Sequence, residues 1–564
     1  MKSIQDINLS PKPGKQYWKN CHREWREEFI YFLLVDRFHD NAQRNPSAYT
    51  DRHSGFGTKE QLVKSCGGTL RGITQHLDYI QNLGCTALWL SPVFENNPDA
   101  YHGYAIQNYL EVDKRWGTKK DLETLVEAAH ERDMRVFLDI VLDHSGDNWF
   151  YADGHDYFYF QGERFPFGGW RSKNRPLPVE LRDPELYNRQ GQIRDYDAYP
   201  ETRDGDFNNL KAYRSDGSPE AEYVHKLLVD LHCYWIREAD VDGFRLDAAK
   251  HMSEIDISRF CSAVREYAYT LGKRNFFLFG ELIGPDEVST NYIGPKTSIS
   301  VNDKNVYYGL NSVLDFPLHG ALPDVIKGTA SPERLIERYT ALQRNALDRG
   351  EYGEFLVTFV DNHDQVGQDP KHRFGSDAAP EQIVAAMGFL LCAIGTPCIY
   401  YGTEQGLNGS GNGDWAVREC LFDPRDKKTN LLNPNSQIYQ SIAAIAQIRK
   451  SNPVLKFGRM FIREISGGGQ HFHLPECNEC TLAFSRILFK DEILVVFNSS
   501  MTRTKEECVL IDFELNEKKT AMECLYGGGL ETVPILGHDE PERNIRYVKL
   551  TLNPMQFVIL KTAS

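Results

Sequence analysis

Hydrophobic positions along the chain fall into two alternating kinds of pattern. The first is the short, continuous apolar run. It occurs at 29–35 (F-I-Y-F-L-L-V), 85–90 (C-T-A-L-W-L) and 136–142 (V-F-L-D-I-V-L). Runs of this length, apolar throughout, predict strands buried on both faces, as in a parallel sheet. The second pattern is helical. Leu122, Leu125, Val126 and Ala129 repeat at i, i+3, i+4, i+7, and so do Val224, Leu227, Leu228 and Leu231. Ser218-Pro219-Glu220 supplies a cap, a proline and an acid for the start of the second helix. Ser331-Pro332-Glu333 starts another helix in the same way, and Gly350 is expected to end it.

Further strand candidates lie near 242–246, 276–280, 310–315, 355–360 and 397–400. With the first three they make eight, most of them separated by helical segments. Alternating β and α elements imply a parallel sheet, and eight such units predict a closed (β/α)8 barrel of the TIM type. An open doubly wound sheet is the alternative, but no Gly-rich phosphate fingerprint follows the first strand. One interval breaks the alternation. Residues 145–218 are rich in Gly, Pro, Asp and aromatics without clear periodicity, too long for a plain loop, and read as an inserted domain after the third strand. Its aromatics are expected to form its own core rather than sugar platforms. Beyond a helix carrying Ile438, Ile442, Ile445 and Ile448, the pattern changes at about 453 to short β runs. The domain reading is therefore an extension (1–25), the barrel (26–144 and 219–452), the insert (145–218) and a C-terminal all-β sandwich (453–564).

Composition narrows the function. The 564 residues carry a formal charge of −15, which argues against a nucleic-acid partner and fits neutral sugars or small metabolites. No run is long and apolar enough to predict a membrane span, and the N-terminal stretch lacks the apolar core of a secretory signal. The twelve cysteines are scattered, with Cys85 and Cys398 in strands and Cys233 and Cys261 on helices. That usage predicts reduced thiols and a cytoplasmic protein. Cys477 and Cys480 form a lone C-x-x-C, too little for a zinc site.

The candidate chemistry sits where the strands end. In V-D-G-F-R-L-D-A-A-K-H (241–251), Arg245 and Asp247 share one strand face, so the guanidinium can hold the carboxylate ionised and aimed. A structural salt bridge would look the same. The third strand, however, contains Asp139 and ends in Asp143-His144, the fifth ends in Glu281, and the seventh in Asp361, His363 and Asp364. Acids from separate strands converging at one rim suit glycosidic bond cleavage, where one carboxyl is ionised and another protonated.

D-I-V-L-D-H (139–144), G-F-R-L-D-A-A-K-H (243–251), G-E-L (280–282) and F-V-D-N-H-D (359–364) resemble, in order, the signature regions of the α-amylase family, glycoside hydrolase family thirteen. Y-H-G-Y (101–104) and G-T-P-C-I-Y-Y-G-T-E (395–404) are similar to its loop after the second strand and its eighth strand. The resemblance implies a retaining mechanism with Asp247 as nucleophile, Glu281 as acid/base and Asp364 as stabiliser of the transition state. It implies that His144 and His363 bind the sugar at the cleavage point, Tyr104 stacks beneath it and His102 lies near the same subsite. Arg245 would keep Asp247 ionised, and Lys250-His251 would lie on the leaving-group side.

The implied substrate is an α-1,4-glucan or maltooligosaccharide, hydrolysed, or alternatively passed to a sugar acceptor by a transglycosidase or isomerase. A non-catalytic binding relative is the remote alternative, since all three acids are present. The chemistry requires no cofactor, while a structural Ca²⁺ stays open. Asp143 replaces the Asn that commonly ligates it, and D-R-F-H-D-N-A-Q-R-N (36–45), faintly similar to a second calcium loop, has Ala42 at an expected ligand. G-D-F-N-N-L (205–210) only loosely matches the family's pattern, so linkage preference stays open, as does oligomeric state.

Overall fold

The computed structural model describes residues 1–19, 22–46, 54–297, 306–349, 352–529, 531–539 and 544–562. All eight apolar runs form strands: β1 (Ile30–Leu33), β2 (Ala87–Leu90), β3 (Arg135–Val141), β4 (Gly243–Asp247), β5 (Phe277–Gly280), β6 (Ser312–Val313), β7 (Val357–Thr358) and β8 (Thr396–Tyr400). They pair in parallel in the order β6-β5-β4-β3-β2-β1-β8-β7. The two ends of that order meet at a parallel bridge between Leu314 and Val357, where Asp315 N donates to Val357 O at 2.9 Å. The sheet is thereby closed into a barrel.

The helices bury the residues their spacing selects. In α1 (Lys119–Glu131) these are Leu122, Leu125, Val126 and Ala129. In α2 (Pro219–Ala239) they include Val224, Leu227, Leu228 and Leu231, and Ser218 Oγ accepts from Ala221 N to cap the helix. Burying each such Leu or Val side chain is worth about 1.5–3 kcal/mol, which outweighs the helix's modest intrinsic propensity. The helix predicted after Ser331 spans Glu333–Arg349; its expected stop, Gly350, lies outside the described residues. Among the described residues no helix is long and apolar enough to cross a membrane.

Residues between β3 and α2 form short antiparallel pieces, Trp149–Tyr151 against Phe167–Trp170, rather than long elements. Trp149, Tyr151 and Tyr187 are fully buried, and Phe158 stacks on Phe165 at 4.4 Å. Tyr157 and Tyr159, in contrast, stand half-exposed. At the opposite end of the barrel, Trp25 stacks on Phe277 at 4.3 Å and lies 3.8 Å under the Arg135 guanidinium. The C-terminal region is one nine-stranded antiparallel sheet. Its halves enclose a core that includes Ala483, Leu494, Val496, Val509, Val548 and Leu560. Arg486 joins it to the barrel by donating to the carbonyls of Cys392, Ala393, Leu455 and Gly458. All described cysteines are free thiols.

Gly243, at the start of β4, lies where its two neighbours leave no room. A Cβ there would stand 2.2 Å from Phe277 O and 2.8 Å from the Phe137 ring. Gly243→Ala is expected to cost about 1–3 kcal/mol through overpacking, read as a lowered melting temperature. An unchanged Tm would mean the strand can shift to accept it.

Candidate active site

Strand periodicity builds the centre of the site. Arg245 and Asp247 project from the same face of β4, and Arg245 lies in register with Asp139 on β3. Arg245 Nη1 donates to Asp139 Oδ1 at 2.8 Å and to Asp247 Oδ1 at 2.6 Å. Its Nη2 lies 2.9 Å from Glu281 Oε2. One guanidinium with no exposed surface therefore spans three carboxyl groups from three adjacent strands. Directly after Asp247, Ala248 adopts a left-handed conformation (φ 47°), and its N–H donates to Glu281 Oε2 at 3.2 Å. This turn fixes the spacing between the two acids.

Asp364 is presented by a different device. The Asn362 side-chain oxygen accepts from the N–H groups of Asp364 (2.9 Å) and Gln365 (2.5 Å), closing a tight turn at the end of β7. His363 Nε2 stands 3.1 Å from Asp364 Oδ2, and Arg418 Nη2 donates to Asp364 Oδ1 at 2.5 Å. Asp361, on the same stretch, instead accepts from Phe374 N, Gln365 Nε2 and Thr403 Oγ1, which makes it a structural clamp. Tyr104 is sandwiched between His102 (5.8 Å, 16°) and His363 (5.3 Å, 14°), and its hydroxyl donates to Asp139 at 2.9 Å. His144 Nδ1 meets Asp143 at 3.2 Å, and the ring also bonds the Tyr104 backbone.

The carboxyl groups are pushed apart in acidity. Burial raises Glu281 to about 8; Arg245 opposes this, but the charges of Asp247 and Asp364 add to it. Burial likewise raises Asp139 to about 7 against the pull of Arg245. For Asp364, burial acts upward, but the surrounding cationic side chains, with Arg418 in direct contact, outweigh it, and the group lies below the ordinary carboxylate range. His102 and His363 are both lowered to about 3, chiefly by burial, and stay neutral. The site thus pairs a protonated acid, Glu281, with an ionised one, Asp364, at neutral pH.

Of the sequence-selected residues, Arg245, Asp247, Glu281, Asp364, His102, Tyr104, His144 and His363 gather here. Lys250 and His251 border the same site on the side of the inserted segment: Lys250 Nζ pairs with Asp197, His251 Nδ1 lies 2.6 Å from Thr202 O, and Phe207 packs against both His251 and His144. Two contributors went unassigned. Asp139 had a readable signal, an acid inside a strand buried on both faces, in register with Arg245. Arg418 had none, because its loop (D-W-A-V-R-E-C) has no periodicity and only folding brings it to Asp364.

The expected calcium ligands are committed elsewhere. Arg44 Nε and Nη2 hold both oxygens of Asp40, at 2.9 and 2.8 Å. Asp143 faces His144. Nearby, the fully buried Lys211 ammonium lies 3.8 Å from both Asp147 and Asp206, over the Trp149 and Tyr151 rings. A cation already stands among these acids, so the set does not fit Ca²⁺, which takes six to eight oxygens.

A closed parallel barrel with acids at the C-terminal ends of adjacent strands defines an enzyme-type (β/α)8 scaffold whose site has glycosidase character. The chain belongs to the α-amylase family: the family described as alpha amylase, catalytic domain, matches residues 32–436. It is 30% identical over 506 residues to an α-amylase of Streptomyces lividans, covering 77% of this chain and 51% of that protein. The chain thus spans about half of that relative's length. It is 26% identical to a cyclomaltodextrin glucanotransferase of Klebsiella oxytoca, covering 81% of this chain and 68% of that one. Among solved structures, the α-amylase of Geobacillus thermoleovorans, complexed with acarbose, matches with a TM-score of 0.70 at 26% identity, covering 96% of this chain and all of that one.

The raised acidity constant of Glu281 links folding to pH. Its folded value, about 8, exceeds the ordinary value of 4.5. Between those values folding takes up a proton, so this group's contribution is full below 4.5 and is lost as pH rises toward 8. Glu281→Gln, which cannot ionise, is expected to gain stability relative to the parent across that window. Thermal melts at pH 4.5 and 8.5 check it, and an unchanged Tm difference would mean Glu281 is ionised in the native protein.

Proposed function

We propose that this chain is a retaining α-glycosidase that hydrolyses α-1,4-glucosidic bonds of maltooligosaccharides or starch-type glucans. The observation that carries the reading is the single Arg245 guanidinium bridging Asp247 and Glu281 while Glu281 remains protonated. Retaining chemistry needs the two carboxyls about 5–5.5 Å apart, one ionised and one protonated. Asp247, held by its 2.6 Å contact with Arg245, attacks the anomeric carbon. Glu281 gives its proton to the leaving oxygen, and then takes one from the water that releases the β-glycosyl-enzyme. Asp364, held ionised by Arg418, binds the sugar hydroxyls and stabilises the oxocarbenium-like transition state. His144 and His363 hydrogen-bond the same sugar beside Tyr104, whose ring is stacked on His363. His102 backs that ring, and Lys250 and His251 flank the leaving-group side beside the insert.

A transglycosidase is the second reading, favoured by the glucanotransferase relative at comparable identity. A neutral glucan partner suits the acidic chain, and the buried free thiols suit a cytoplasmic, reducing location. The deciding measurement is a time course of maltoheptaose digestion. Short α-anomeric products with net gain of reducing ends are expected, with Asp247→Asn losing about 10⁴-fold or more in kcat. Conserved reducing ends with longer products would move the protein to the transferase reading. No turnover on any α-glucoside would leave a binding relative.

We further propose that the fold is independent of calcium, with Arg44 and Lys211 neutralising the acids that a metal would. EDTA is expected to leave the Tm unchanged, while Lys211→Met lowers it. A Tm that falls on chelation and returns with Ca²⁺ would refute this.

A further inference from the structure

We propose that Cys66 and Cys420 form a redox couple that oxidises to a disulfide beside the barrel mouth and thereby acts on Asp364. The observation is the environment of Arg37, whose guanidinium is wholly buried. Nη2 donates to the carbonyls of Leu62 (2.6 Å) and Lys64 (3.1 Å). Nε faces Asp36 at 3.5 Å. Among the described residues Nη1 has no oxygen partner: it hydrogen-bonds Cys66 Sγ and lies 3.6 Å from Cys420 Sγ. Two sulfurs distant in sequence thus converge on one N–H group of a buried cation. A guanidinium placed this way stabilises a thiolate, the reactive form of cysteine.

The two thiols are also unequal, as an exchange pair needs them to be. Cys66 is partly exposed and reachable from solvent, whereas Cys420 is fully buried behind it. A hydrogen bond from Cys420, with the charge of Arg37, lowers Cys66 despite its burial, and burial raises Cys420. Cys66 is therefore the attacking sulfur and Cys420 the resolving one. Both lie in a small apolar cluster with Leu62 and Phe422, separate from the barrel core.

The chemistry needs an oxidant of the peroxide class. The Cys66 thiolate attacks one peroxide oxygen; the O–O bond breaks and the departing hydroxide becomes water on protonation. The resulting sulfenic acid is attacked by the Cys420 sulfur; the S–O bond breaks and hydroxide leaves with the Cys420 proton as a second water. The two thiols lose two electrons and two protons in total, and a dithiol reductant reverses the step.

Its consequence follows from what surrounds the pair. Arg37 lies 4.1 Å from the Tyr101 ring, and the Tyr101 hydroxyl accepts from Arg418 Nη1 at 3.2 Å. Arg418 is the cation on Asp364, and Cys420 lies two residues beyond it. A disulfide takes the Cys66 sulfur off Arg37 and draws the 418–422 segment toward Cys66. Both changes displace the Arg418 contact.

The test uses the full chain, titrated with hydrogen peroxide. Peptide mapping without reductant is expected to recover a Cys66–Cys420 crosslink, and this readout does not depend on the proposed activity. On α-glucan substrate, kcat is expected to fall about tenfold with the crosslink and to return with dithiothreitol. Cys66→Ser, at the partly exposed position, is expected to abolish both effects, with Cys420→Ser as the second variant. Failure to find the crosslink while Cys66 is over-oxidised would overturn the proposal, and so would a complete crosslink that leaves kcat unchanged.

Discussion

A guanidinium with no access to water cannot remain in a barrel without a counter-charge, and Arg245 touches three carboxyl groups. If Asp139, Asp247 and Glu281 were all ionised, the cluster would carry a surplus of two negative charges. Like charges about 4 Å apart cost about 4 kcal/mol even at an effective dielectric constant of 20. Keeping a proton on the less favourably placed groups is cheaper. Glu281 and Asp139 are both shifted upward, while Asp247 keeps the shortest contact with the cation. The division of labour among the acids thus follows from one charge imbalance in a dry space.

The same economy recurs around the barrel. The chain is acidic overall, yet several of its buried acids are held by internal cations: Arg373 on Glu419, Lys273 on Asp240 and Asp242, and Arg338 on Asp315. Buried pairs of this kind add little net stability but are costly to break, so they fix geometry rather than add cohesion. Lys211 extends the pattern to the segment after β3. Arg37 departs from it, because part of its guanidinium is turned to sulfur.

Much of the site was readable because strand periodicity is strict. Arg245 and Asp247 must share a face, and strand ends in a closed barrel must share a rim, so His144, Glu281 and Asp364 could be gathered from linear positions. Lys250 and His251 lie past the strand end, where no period constrains direction, and they turned toward the insert. Asp361 and Asp364 look alike in sequence. Only the Asn362 turn separates a structural clamp from an acid held by Arg418.

The sequence by itself determined the eight strands, the helices between them, the change to β-structure near residue 453 and the convergence of acids. Each of these depends on local period and burial, which are written in consecutive residues. Tertiary structure alone decided the closing bridge between Leu314 and Val357, the arrival of Arg418 at Asp364, the internal cations among the expected calcium ligands and the meeting of Cys66 with Cys420. Those are encounters between loops of no fixed period, far apart in the chain. Electrostatics and packing select them only once the barrel has fixed where each loop begins.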